Sequence, residues 1–193
     1  MKKLILSVII AAIITPSATA AKKAKSGKAI NNAAIKYLDD NFWTYDKLQK
    51  TIWANPELGF IEYNSSKLLQ DHLRENGFSV EAGIAGMPTA FVATYGNGEP
   101  TIGFLAEFDA LPGLSQDTVP VRSPRVKDAP GQGCGHNLLG VGSTSAAVAL
   151  SKWLAANHRK GTIKIFGTPA EEGGAGKVYI VRDGYFKGID AVL

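Results

Sequence analysis

The sequence predicts an α/β fold, a mixed sheet flanked by helices. From Thr101 onward the chain reads as strand, loop, helix, strand, helix, strand, the alternation that builds a layered α/β domain. Two glycine-rich stretches, Gly131 to Gly140 and Pro169 to Gly174, fall between those elements, where open sheets of this class keep their chemistry. Hydrophobic residues at 45% and charged residues at 20% of 193 residues are ordinary for a globular chain, with room for one domain or one and a piece of another.

The first residues have the form of a secretory signal. Lys2 and Lys3 precede an apolar run from Leu4 to Ile14, Thr15-Pro16-Ser17 breaks it, and Ala18-Thr19-Ala20 supplies small residues for cleavage after Ala20. An apolar run of this length is short of the roughly 20 residues that a bilayer requires, so export to the periplasm or medium is expected, with no membrane anchor after cleavage. Residues 21–28 read as a lysine-rich tail, and residues 29–193 as the folded part. The formal net charge of +4 sits in that leader and tail. Without Lys2, Lys3, Lys22, Lys23, Lys25 and Lys28 the balance is −2, which excludes the basic face that a nucleic-acid binder needs.

Apolar residues from Ile30 to Trp53 recur at helical spacing, with a break near Asn41, and Asn55-Pro56 ends the run. Asn64 or Ser65 is expected to cap a second helix reaching Asn76, with Gly77 as its stop. His72 falls on the apolar face of that helix and reads as a packing histidine. Phe78 to Ala82, Thr89 to Tyr95 and Thr101 to Ala106 read as strands. Asn97-Gly98 predicts a hairpin between the last two. Leu114 to Gly133, with three prolines, is a long loop. Gly142 to His158 is helical, and His158 with Arg159 and Lys160 suits the negative end of a helix dipole. Thr162 to Gly167 is a strand, Val178 to Asp183 a helix, and Ile189 to Leu193 begins another strand.

Cys134 is the one cysteine of the chain and His136 one of its three histidines. In an oxidising compartment a lone cysteine is a buried apolar group, an intermolecular bridge, a reactive thiol or a metal ligand. Thiolate and imidazole two residues apart on a glycine-softened loop can face one ion, and Glu171-Glu172 brings two carboxylates on the second loop. Adjacent carboxylates repel unless a cation lies between them, and one can bind an ion while its neighbour moves protons. Glu107 and Asp109 fall just past a buried strand, where open α/β sheets place their chemistry, although alone they would read as loop solvation and capping. A Cys134–His136 nucleophile pair is the poorer reading, because residues two apart on a tight loop rarely align sulfur and imidazole for proton transfer.

The segments FLAEFDALPG, GCGHNLLGVGSTSAA, GTPAEEGGAGK and DGYFKGIDAVL resemble the metal-dependent amidohydrolases that include the aminobenzoyl-glutamate utilisation protein B group and the indoleacetyl-amino-acid hydrolases. The resemblance runs over most of Trp43 to Leu193. It implies a zinc-peptidase-like catalytic domain with two divalent ions, zinc or manganese, and a separate lid or dimerisation domain. It also implies hydrolysis of an N-acyl amino-acid amide bond and a homodimeric full-length form. Carried over by position, Cys134 resembles the bridging metal ligand, His136 a terminal ligand and Glu172 the ligand of the second ion. Glu171 resembles the general base, and Asp109 the carboxylate that steadies a ligand. Gln132 stands where the family often has a histidine, and Asn137 where it often has an aspartate. The resemblance also implies ligand histidines beyond the position of Leu193. The expectation is therefore a catalytic domain truncated before the lid, inactive or nearly so as this polypeptide alone; the alternative is a non-catalytic exported α/β remnant of that family.

Overall fold

The computed structural model describes residues 32–193. The expected leader over residues 1–20 and the lysine-rich tail over 21–28 lie outside the described residues. Helix α1 (32–40) and helix α2 (Phe42–Ala54) are separated by Asn41, where the sequence places a break, and the Asn41 side chain donates to the Tyr37 carbonyl. Helix α3 (Tyr63–Glu75) starts ahead of its expected caps. Asn64 and Ser65 lie inside the first turn, and their N–H groups donate to the Glu57 carboxylate at 3.0 and 2.8 Å. The cap thus comes from upstream, with its negative charge against the positive end of the helix dipole.

Strands β1 (Ser79–Ala82), β2 (Phe91–Asn97), β3 (Thr101–Ala106), β4 (Gly161–Gly167) and β5 (Ala191–Val192) form one mixed sheet in the order β1-β2-β4-β3-β5. This corrects the expected β2–β3 hairpin. Asn97-Gly98 does reverse the chain, but the returning strand lies one place away, with β4 between, antiparallel to β2 and parallel to β3. Ile163, Ile165 and Phe166 are all fully or almost fully buried, so β4 is covered on both faces and takes the centre. Ile165 faces Ala93 on one side and Phe104 on the other.

Successive residues of the strands feed two apolar clusters. Phe91, Ala93, Phe104, Ile163 and Ile165 pack with Leu69, Leu73, Val141 and Val148 from α3 and from helix α4 (His136–Ala156). Val92 and Phe166 pack on the other face with Ile84, Met87 and Ile180, the last from helix α6 (Gly176–Arg182). Helix α4 is long and apolar enough to cross a bilayer by composition, yet here it is the core helix against the sheet.

Helix α4 begins at His136, six residues before its expected start. Gly135, at φ +80°, turns the chain into the helix. Gly140 sits inside because a Cβ there would lie 2.3 Å from the Glu107 carbonyl oxygen, so only glycine lets α4 approach the end of β3 this closely. The segment between β3 and α4 is pinned midway, where Leu111 and Gly131 exchange both backbone hydrogen bonds at 3.0 Å. The chain is thereby returned to the C-terminal end of the sheet. There Ala106 and Gly167 are register partners, so the residues that follow β3 and β4 emerge side by side.

Candidate metal centre

Asp109 follows β3, Cys134 and His136 stand at the start of α4, and Glu171 and Glu172 occupy the single irregular turn α5 (Glu171–Gly174) after β4. The fold brings all five together. Donor atoms of Cys134, His136 and Glu172 lie within 4.8 Å of one another, as do those of Glu107, His136 and Glu171.

His136 is the hub and is nearly fully buried. Its Nδ1 lies 2.9 Å from Asp109 Oδ1. Its Nε2 faces Glu107 Oε2 at 3.1 Å, Glu171 Oε2 at 3.8 Å and Glu172 Oε1 at 3.9 Å. Because Asp109 takes Nδ1, a neutral His136 offers one lone pair at Nε2, and the two donor sets are two sides of a single centre. Asp109 also accepts the Glu172 N–H at 2.9 Å through Oδ2. One carboxylate therefore orients the imidazole and holds the backbone of the double glutamate.

The electrostatics show what the cluster lacks. Burial alone would raise the Asp109 carboxyl, but hydrogen bonds from His136 and the Glu172 N–H outweigh it and hold it below the usual range. The hydrogen bond to Asp109 holds His136 above its ordinary value, against burial, with help from the charges of Asp109, Glu107 and Glu172. The hydrogen bond to Glu172 pushes the Cys134 thiol up, and burial and the charges of Glu172, Glu171 and Glu107 push the same way. A thiol kept protonated by carboxylates is the reverse of an activated nucleophile, which needs a positive environment.

Four carboxylates gather here, and among the described residues the one lysine or arginine paired with them is Lys177, on Glu107. Glu172 Oε1 is buried and has no hydrogen-bond partner. An orphaned buried acceptor is costly, and this one lies 3.9 Å from the His136 Nε2 that would share an ion with it. Sulfur, nitrogen and carboxylate donors around an excess of negative charge fit a divalent cation.

The remaining residues sort by distance from this point. Glu107 belongs to the centre although the sequence reading assigned only its neighbour Asp109; its signal was its place as the first residue beyond β3. Gln132 accepts the Asn137 N–H at 3.1 Å and so secures the first turn of α4. Asn137 turns away and donates to Gln49 on α2 at 2.9 Å. His72 packs edge-on against Tyr45, as expected, and His158 lies beyond the other end of α4.

Comparison with known proteins agrees with this geometry. The sequence profile of peptidase family M20/M25/M40 matches residues 103–193, the span that holds every member of the centre. The chain is 42% identical to one of the subunits of p-aminobenzoyl-glutamate hydrolase of Escherichia coli over 150 residues, 77% of this chain and 31% of that protein. It is 33% identical to hippurate hydrolase of Campylobacter jejuni over 147 residues, 76% of this chain and 37% of that protein. The chain thus spans about a third of the length of these curated relatives. Among solved structures, a dinuclear metal-binding peptidase of family M20 from Bacillus subtilis aligns with a TM-score of 0.61 at 25% identity, over 77% of this chain and 41% of that one. The motifs, the sheet and the shared sequence lead to one assignment: the chain belongs to peptidase family M20/M25/M40.

Proposed function

We propose that this chain carries the metal-binding core of an amidohydrolase that cleaves the amide bond of N-acyl amino acids. The observation that carries the reading is the convergence of Cys134, His136 and Glu172 donor atoms within 4.8 Å of one another, with Glu172 Oε1 buried and unpaired. Two relatives named for hydrolysis of p-aminobenzoyl-glutamate and of hippurate support the substrate class, since each substrate is an acyl group joined to an amino acid.

In this reading Cys134, His136 and Glu172 would hold the divalent ions, zinc or manganese. Such an ion would supply polarisation of the scissile carbonyl and a lowered pKa for a bound water. Asp109 keeps the His136 ring in one orientation and one tautomer. Glu171 is the more exposed of the two glutamates, with 41% of its side chain open to solvent against 20% for Glu172. It takes the proton of the attacking water on its carboxylate and returns it to the leaving amine nitrogen. Of the chain's three histidines only His136 lies at the centre. Three candidate ligands make a weak site for two ions, so turnover by this polypeptide alone is slow or absent. The active form is a homodimer with no nucleic-acid partner. Export completes the reading, with residues 1–20 removed after Ala20 and no membrane attachment afterwards. Intact mass of the secreted protein tests that point, and a retained leader would overturn it.

Equilibrium dialysis against zinc, followed by metal analysis, tests the centre. Wild type is expected to retain the ion, and Cys134→Ser, His136→Asn and Glu172→Gln to lose it. Glu171→Gln is expected to retain it while lowering kcat, where turnover is measurable, by about 100-fold or more. Equal zinc retention by wild type and all three ligand variants would sink the assignment.

A further inference from the structure

Outside the centre, Glu62 is a fully buried carboxylate, and nothing in the proposed chemistry uses it. Among the described residues no lysine, arginine or histidine pairs with it. Isolated burial of this kind is expensive, and it persists where the group is needed for the hydrogen bonds it accepts. Burial holds its carboxyl above the usual range, and hydrogen bonds from Thr89 and from backbone N–H groups offset that only in part.

Its two oxygens have separate tasks. Oε2 accepts the Thr89 hydroxyl at 2.7 Å, which ties the start of α3 to the approach of β2. Oε1 accepts the Ala170 N–H at 2.8 Å. Ala170 is buried and sits at φ +55°, a left-handed conformation that is strained for a non-glycine residue and persists only where its surroundings impose it. It immediately precedes Glu171 and Glu172. Its carbonyl accepts the Gly174 N–H at 3.0 Å and so closes the turn on which both glutamates ride. Gly59 presses on the same residue, since a Cβ there would lie 2.8 Å from the Ala170 Cβ.

We infer that Glu62 is a positioning residue for the metal centre: by holding the Ala170 N–H it fixes the strained backbone from which Glu171 and Glu172 project. The inference rests on the functional reading above for the meaning of those two glutamates, but not for the contact itself. A purely structural role would be shared between both oxygens. A positioning role belongs to Oε1 alone.

The test uses the whole chain, with two readouts: hydrogen exchange of the Ala170 amide by NMR, and affinity for added Co(II) from its absorption bands. Glu62→Met is expected to speed Ala170 exchange by about 10-fold or more and to weaken Co(II) binding by about 10-fold, the size of effect seen when a group behind a ligand is removed. Thr89→Val releases only Oε2. It is expected to lower Tm while leaving both readouts within about two-fold of wild type, as an independent site should. Glu62→Gln keeps an oxygen for Ala170 and an amide for the Thr89 hydroxyl, and is expected to restore both. Should Glu62→Met not fold, Glu62→Asp, one methylene short of Ala170, replaces it with the same expected loss. Wild-type exchange and Co(II) affinity in the Met or Asp variant would overturn the inference, as would equal shifts in Thr89→Val. If wild type itself fails to bind Co(II), the functional reading falls, and Ala170 exchange still decides this one.

Discussion

The middle of the sheet and its C-terminal rim are built on opposite terms. Under the middle, buried polar side chains are paired: Ser66 donates to the Thr89 carbonyl, Thr144 to the Gly140 carbonyl and Ser151 to the Val148 carbonyl. The rest of that region is close-packed aliphatic and aromatic surface. At the rim four carboxylates, an imidazole and a thiol crowd together, and one buried oxygen has no partner. Among the described residues, the buried polar side chains of the body find partners within it. At the rim the carboxylates outnumber their cationic partners among the described residues, and the proposed metal-binding role draws on that deficit.

Substitution on either side of this divide should fail in different ways. Phe91 is fully buried and stacked on Phe108 with ring centroids 6.3 Å apart. Phe91→Ala is expected to cost about 3–5 kcal/mol of unfolding free energy in urea titration, from lost apolar burial plus the cavity left behind. A cost below about 1 kcal/mol would mean that the body is not the rigid partner in this comparison.

A smaller effect, of another kind, is expected at the rim. Asp109→Asn preserves size, but both neighbours of that carboxylate, His136 Nδ1 and the Glu172 N–H, present donors to it. The new amide must turn its own N–H towards one of them. The expected result is a loss of about 10- to 100-fold in zinc affinity by competition titration, with little change in the far-UV spectrum. Unchanged affinity would mean that Asp109 is merely a loop contact.

The same divide explains how far the residues could be read without a structure. Strand β3 and the break at Asn41 were visible because alternation and turn chemistry are local. Cys134, His136, Glu171 and Glu172 stood out by residue type and flanking glycines, and Asp109 only by its place past a strand and by family resemblance; the fold brings the five side chains together. The place of β4 was not visible, because Asn97-Gly98 specifies a reversal and not which strand returns as neighbour. The start of α4 was misjudged because Gly140 and Gly142 weaken helix propensity. The reason for Gly140 lies across the fold, at the Glu107 carbonyl. Glu62 was invisible for the same cause: its partners Thr89 and Ala170 are 27 and 108 residues away in the chain.

The smallest expected effect sharpens the contrast through pH. His72 belongs to the body, on α3, with the Tyr45 ring edge-on at 5.4 Å and the Asn76 amide 3.4 Å from Nε2. Burial lowers its pKa; the charge of Glu75 raises it and that of Lys152 lowers it further. An unfolded histidine titrates near 6.5, so below that pH the unfolded chain binds a proton that the folded chain refuses. Stability from this residue is therefore complete above about pH 6.5, falls as pH drops through that value, and levels off beneath the lowered folded pKa. His136 has the opposite sign, because Asp109 raises its pKa: its contribution is full below about 6.5 and is lost as pH rises through the raised value. Comparing wild type with His72→Phe cancels His136 and the carboxylates, which titrate in both. The urea midpoint of wild type relative to His72→Phe is expected to fall between pH 7.5 and pH 5. A flat difference would mean that His72 is solvated enough to keep its proton on folding, and that the body tolerates a charge beside Tyr45 as readily as the rim does.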